Sequence, residues 1–186
     1  MHDGPVIREM TVADCPGVAE VRTAGWRHAY RGLMPQAYLD RMDPVAAAER
    51  HRELLEGAGP GVVNLVAERE GRVVGWACLG PHRGDEAGWE LYTLYVDPVH
   101  HRAGLGGALL LGCLPAEGDT YLWVVRDNTP ARLFYERHGF APDGAEEPFT
   151  VDGVDVPEVR YVRPAPSAGP PAPAPAASAA SSPPSA

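Results

Sequence analysis

Three glycines within four positions, Gly104, Gly106 and Gly107, are the residues whose type and spacing speak first of chemistry. Glycine accepts positive φ and lets a ligand approach the backbone N–H groups with no Cβ in the way. Upstream, Glu90 to Val96 is a run rich in apolar and aromatic residues closed by Asp97-Pro98, which reads as a strand ending in a turn. Downstream, Leu105, Ala108, Leu109 and Gly112 fall at the i, i+3, i+4, i+7 spacing of one helix face. The glycines therefore open a helix, where unpaired N–H groups and the positive end of the dipole favour a phosphate. The chemistry on offer is an anion grip.

Two common glycine turns do not fit. A P-loop needs a lysine after its last glycine, and all 16 basic residues of this chain are arginine. A dinucleotide fingerprint needs glycine or alanine five places after its first glycine, usually after the first strand. Counting from Gly104 that place is Leu109, and the turn lies past the middle of the chain. The pair His100-His101 does not make a metal site, because adjacent loop side chains rarely share an ion and no partner cluster accompanies them.

The surrounding elements alternate. Val6 to Met10 alternates apolar and charged residues as a strand does, and Thr11, Asp14 and Pro16 open a helix running to about residue 29. Pro35 opens a short helix with Tyr38 and Leu39, and a third helix runs from Pro44 to Leu55 and stops at the Gly57–Gly61 region. Strands 62–68 and 72–79 flank the turn Glu70-Gly71. Pro115 ends the helix of the glycine turn, and Tyr121 to Val125 is another strand. Thr129-Pro130 then starts a helix presenting Ala131, Phe134, Tyr135 and His138, with Gly139 just past its end. Strands at Phe149–Val151 and Val156–Val162 close the chain, whose elements run β-α-α-β-β-β-α-β-α-β-β when the short Pro35 helix is left uncounted. Residues 1–163 form one domain. Residues 164–186 contain only Pro, Ala, Ser and Gly after Arg163, a tract expected to be disordered.

Composition narrows the function classes. With 186 residues and 45% hydrophobic content the chain suits one globular core. A net charge of −9 argues against a nucleic-acid surface. No apolar run reaches the ~20 residues of a membrane span, and no charged-then-apolar leader follows Met1. Cys15, Cys78 and Cys113 are odd in number and widely spaced, as expected of reduced, buried thiols in a cytoplasmic protein.

The turn His101-Arg102-Ala103-Gly104-Leu105-Gly106 resembles the pyrophosphate loop of the GCN5-related N-acetyltransferases (GNAT superfamily), whose signature is Gln/Arg-x-x-Gly-x-Gly/Ala. His101 stands at the Gln/Arg position, with an arginine one place later. A second stretch, Asn128-x-x-Ala131-x-x-Phe134-Tyr135-Glu136-x-x-Gly139-Phe140, is similar to the last recognisable motif of that superfamily and follows in the expected order. The resemblance covers about residues 5–163.

The resemblance implies an α/β (α+β) fold, a mixed twisted sheet of six to seven strands flanked by about four helices. It implies acetyl-CoA as cosubstrate, no metal, and direct acetyl transfer to a primary amine. Its pantetheine arm would pair with Leu94-Tyr95-Val96, and the amides of Arg102, Ala103, Gly104, Leu105, Gly106 and Gly107 would hold its pyrophosphate. Asn128 would hydrogen-bond the arm, and Tyr135 would protonate the departing CoA thiolate. Glu90, 14 residues before Gly104, would take the amine proton. His28 and Tyr30 would line the acceptor pocket, with Trp26 beside them better suited to the core. No cysteine matches a catalytic position. Relatives commonly dimerise, so a homodimer is open. The competing reading is a non-catalytic acyl-CoA-binding module with the same fold.

Overall fold

The computed structural model describes residues 4–166, so nearly all of the 164–186 tract lies outside the described residues. Seven strands form one sheet in the order β1-β2-β3-β4-β5-β7-β6. These are β1 (Val6–Glu9), β2 (Val63–Arg69), β3 (Arg72–Pro81), β4 (Trp89–Val96), β5 (Thr120–Val125), β6 (Ala141–Val151) and β7 (Val154–Arg163). Five α-helices accompany them: α1 (Cys15–Ala29), α2 (Gln36–Asp40), α3 (Pro44–Glu56), α4 (Leu105–Cys113) and α5 (Thr129–Arg137). The expected mixed sheet is present, with β6 and β7 longer than the two short apolar runs suggested. The residues that lengthen β6, Pro142 to Glu147, are polar and carry no alternation that marks a strand.

Every neighbouring pair is antiparallel except β4–β5, which is parallel. The turns follow from local chemistry. Glu70 and Gly71 both take positive φ, at 53° and 74°, the pairing a two-residue hairpin needs. Asp43 accepts a hydrogen bond from Val45 N–H at 2.8 Å and caps α3, with Pro44 in the first turn.

Two faces of the sheet are buried separately. One carries Leu79, Leu91, Leu122, Val124 and Tyr161 against Leu105, Leu109 and Leu110 of α4 and Phe140 after α5. The other packs Val66, Trp76 and Cys78 against Val18 of α1, and Val125 and Val156 against Trp26, Met34 and Leu39. Gly25 lets α1 settle on β4, since a Cβ there would come within 2.8 Å of the Tyr95 ring. The three cysteines are free and buried, as expected. None of the described helices is long and apolar enough to cross a membrane.

One corner is tied down by charge. Asp14 sits 7% exposed and takes two hydrogen bonds from the Arg8 guanidinium, at 2.7 and 2.8 Å. Arg8 also reaches Glu68 at 2.7 Å, so β1, β2 and the start of α1 share one ion cluster. The Arg8 hydrogen bonds, supported by those from Thr11, outweigh burial and hold the Asp14 carboxyl down at about 2.

Candidate active site

β4 and β5 pair only at Trp89↔Thr120 and Glu90↔Tyr121. Beyond that point they part. The register of β4 on β3 jumps from Leu91↔Leu79 to Thr93↔Cys78, so Tyr92 is one residue too many for its partner. A bulge bends and twists its strand, and this one lies just past the last paired residue. Meanwhile β5 stays paired to β7 along its whole length. A wedge therefore opens between Leu91–Val96 and Leu122–Val125, with the β5-facing edge of β4 left free. Such an edge offers unpaired N–H and C=O groups to an extended ligand.

The glycine turn closes the wide end. A 3₁₀ turn at Pro98–His100 follows β4, with the Asp97 side chain accepting from Val99 N–H at 3.1 Å. Arg102 and Gly104 both take left-handed φ, 66° and 78°. Gly104 is the N-cap of α4, and its carbonyl accepts the bond from Ala108 N–H at 3.0 Å. The amides of residues 105–107 thus precede the helical ladder and point out of the first turn. A Cβ at Gly104 would meet nothing within 4 Å, so the turn faces open space, whereas one at Gly106 would press on the Phe134 ring at 3.4 Å. Residues 101–104 are exposed and Leu105 is buried, so the turn is anchored by one side chain and open above it. The His101 ring turns back toward β4. Its Nε2 lies 3.1 Å from the Val96 carbonyl, with its ring edge-on to His28 at 5.2 Å.

Asn128 is buried, and its side chain accepts from Ala131 N–H at 3.3 Å, capping α5. That leaves its amide N–H group as the part free to meet a ligand. Tyr135, about two turns further, packs edge-on against Phe134 and Phe140. Burial first, and then the nearby Tyr95, hold the Tyr135 proton far above the usual phenol range. It is protonated at every working pH.

Tyr135 belongs to a group of hydroxyls in the wedge. Tyr30 and Tyr95 lie close together, and burial raises the pKa of both. Trp26 packs edge-on against Tyr30 at 4.9 Å and is only 7% exposed. Its indole N–H and the buried hydroxyl of Thr93 lack any hydrogen-bond partner among the described residues. Buried donors without close partners are rare in a finished core, and both of these lie beside the Tyr95 hydroxyl.

Two carboxylates face this region, and sequence reasoning named one. Glu90 is 3% exposed and receives the Arg83 backbone N–H at 3.1 Å and the Arg83 guanidinium on its other oxygen. Arg83 in turn lies over the Tyr92 ring at 4.4 Å. Both Glu90 oxygens are already engaged. The other carboxylate is Glu158 of β7, in register with Val125 on one side and Glu147 on the other. It makes no ion pair or hydrogen bond among the described residues, and its charge acts on Tyr30. Burial, then Glu147, push its pKa up to about 7, with Arg83 offsetting only part. Its signal in the sequence is slight, one of two acids, with Asp155, in the last strand.

Among the described residues no cluster of His, Cys, Asp or Glu is fit to hold a metal. The sequence matches the profile of the acetyltransferase (GNAT) family over residues 23–140. It is 30% identical over 167 residues to an uncharacterized N-acetyltransferase of Bacillus subtilis, covering 82% of this chain and 89% of that one. A probable N-acetyltransferase of Mycobacterium tuberculosis is 31% identical over 162 residues, covering 83% and 91%. The fold superposes on the PaiA N-acetyltransferase of Thermoplasma acidophilum, solved in complex with coenzyme A, with a TM-score of 0.63 and 21% identity over 87% of this chain and 99% of that one.

Proposed function

The chain belongs to the GNAT family of acetyltransferases, and from that premise we propose that it moves an acetyl group from acetyl-CoA directly to a primary amine in the wedge between β4 and β5. The observation that carries this reading is the wedge itself, a parallel strand pair split by the Tyr92 bulge with a glycine turn at its mouth. The pantetheine arm pairs with the free edge at Leu94, Tyr95 and Val96. Its pyrophosphate sits on the amides from Arg102 to Gly107, and the Asn128 amide group holds the arm.

Transfer then needs a base, an oxyanion partner and an acid. The amine nitrogen attacks the thioester carbon, and its oxygen takes the charge beside a β4 backbone N–H near Leu94 or Tyr95. As the C–S bond breaks, Tyr135 gives its proton to the departing sulfur. The amine proton goes to a carboxylate. Glu90 holds that role only with Arg83 swung away, so we assign it to Glu158, which is unpaired and ionises near neutral pH. Glu90 instead fixes the β3–β4 loop through Arg83.

The test is calorimetric titration with acetyl-CoA, with desulfo-CoA and ATP as controls, followed by an amine screen for free CoA. Saturable binding of acetyl-CoA with turnover of an amine supports the reading. Acetyl-CoA binding with no amine turned over favours a non-catalytic acyl-CoA module, and no binding removes both.

A further inference from the structure

The chain is acidic overall, at −9, yet a cavity of about 310 Å³ between α1, α2 and α3 is lined by three arginines, Arg22, Arg41 and Arg50. Two acids also line it, and both are occupied. Asp152, from the β6–β7 turn, pairs with Arg41 at 2.5 Å. Asp43 turns back to cap α3 through Val45 N–H. Arg22 and Arg50 form no ion pair and no side-chain hydrogen bond among the described residues. Both charges act on His51, a 7%-exposed imidazole that burial and these two guanidiniums keep neutral. Asp43 keeps its charge, so the lining is positive by one charge, and Arg22 and Arg50 are the cations on it without an ion-pair partner among the described residues.

A second observation points to a ligand. Thr23 lines the same cavity, is 4% exposed, and its hydroxyl has no partner among the described residues. The Trp26 indole stands between the cavity and the transfer site, touching the wall of the one and Tyr30 of the other. The Arg22 guanidinium lies over that indole at 4.7 Å, and Tyr38 of the cavity wall packs on it at 5.9 Å. From the same position the Arg22 charge reaches the Tyr95 hydroxyl in the wedge.

We propose that this cavity binds an anionic group of the acceptor, so that the amine substrates are small molecules carrying a carboxylate or phosphate-type anion beside the amine. The inference rests on the acetyl-transfer reading for the amine end. Arg22 and Arg50 take the anion, and the Thr23 hydroxyl donates to it. A cavity of this size admits the end of a small molecule. Guanidinium is suited to the task, since its planar fork matches carboxylate and phosphate oxygens.

The experiment compares amino acids and aminoalkyl phosphonates with their neutral amides and esters as acceptors, following free CoA. Charge-assisted hydrogen bonds predict a preference for the anion of about 10-fold or more in kcat/KM. The preference falls toward unity in Arg50→Gln and returns in part in Arg50→Lys. Equal use of amides and acids overturns the inference and leaves acetyl transfer standing. If acetyl-CoA binds but no amine of either kind is acetylated, the parent reading fails, and titration with inorganic phosphate decides the cavity. A saturable rise in melting temperature that Arg50→Gln abolishes keeps an anion site. No rise overturns it.

Discussion

Replacing Glu158 by glutamine sets function against stability in a way the structure makes quantitative. The Glu158 carboxyl is raised from 4.5 to about 7, first by burial and then by Glu147. Between those values the folded protein binds a proton that the unfolded chain has lost, so stability falls as pH rises through this window. A full shift of that size is worth about 3 kcal/mol, and screening by the solvent that still reaches the group leaves roughly 1–2 kcal/mol. Glutamine mimics the protonated acid and carries no such cost. Glu158→Gln should therefore melt like the parent at pH 5 and higher at pH 8.5, by roughly 2–8 °C for a domain of this size. The same variant should lose about 100-fold or more in kcat/KM, and the acid limb near pH 7 should disappear from the pH–rate profile. Calorimetry at both pH values and free-CoA kinetics across pH 5.5–9 supply the test. A melting shift equal at the two pH values, or an acid limb unmoved by the substitution, would refute the reasoning.

Four further outcomes follow from the geometry. Tyr135→Phe should lower kcat by about 10–100-fold with the acetyl-CoA Kd within about 2-fold of the parent, since it removes a proton donor and little else; a changed Kd with unchanged kcat would make it a packing residue. Gly104→Val should weaken acetyl-CoA binding by about 10-fold or more by calorimetry, because φ of 78° is strained for a branched residue; parent-like affinity would remove the turn from the site. Arg83→Gln leaves Glu90 buried without its guanidinium and should cost about 1–3 kcal/mol by urea unfolding, against little change if the pair is ornamental. Asp14→Asn should cost about 2 kcal/mol at pH 7. The Asp14 carboxyl is depressed to about 2, so that stability is present above pH 3.8 and is lost in the parent as pH falls toward 2. The gap between variant and parent should close over that range.

What the sequence determined by itself was local. The turn at Gly104, the prolines opening α3 and α5 and the Glu70-Gly71 hairpin are each set by the φ or the missing donor of one or two residues, whereas the cap of α5, expected at Thr129, falls on Asn128, whose side chain accepts from Ala131 N–H. Those signals also place the glycine turn, Asn128 and Tyr135 in one order along the chain. Tertiary structure decided the rest, because it depended on pairing between distant strands. Tyr92 reads as one more strand residue, and only its register against Cys78 and Leu79 makes it the bulge after which β4 leaves β5. Glu90 and Glu158 are both acids set among apolar strand residues. What separates them is that Arg83 folds back onto one, while the other faces Glu147 across a strand pair and feels Arg83 only at a distance. Charge partners across a sheet are set by register, and register is a property of the whole fold.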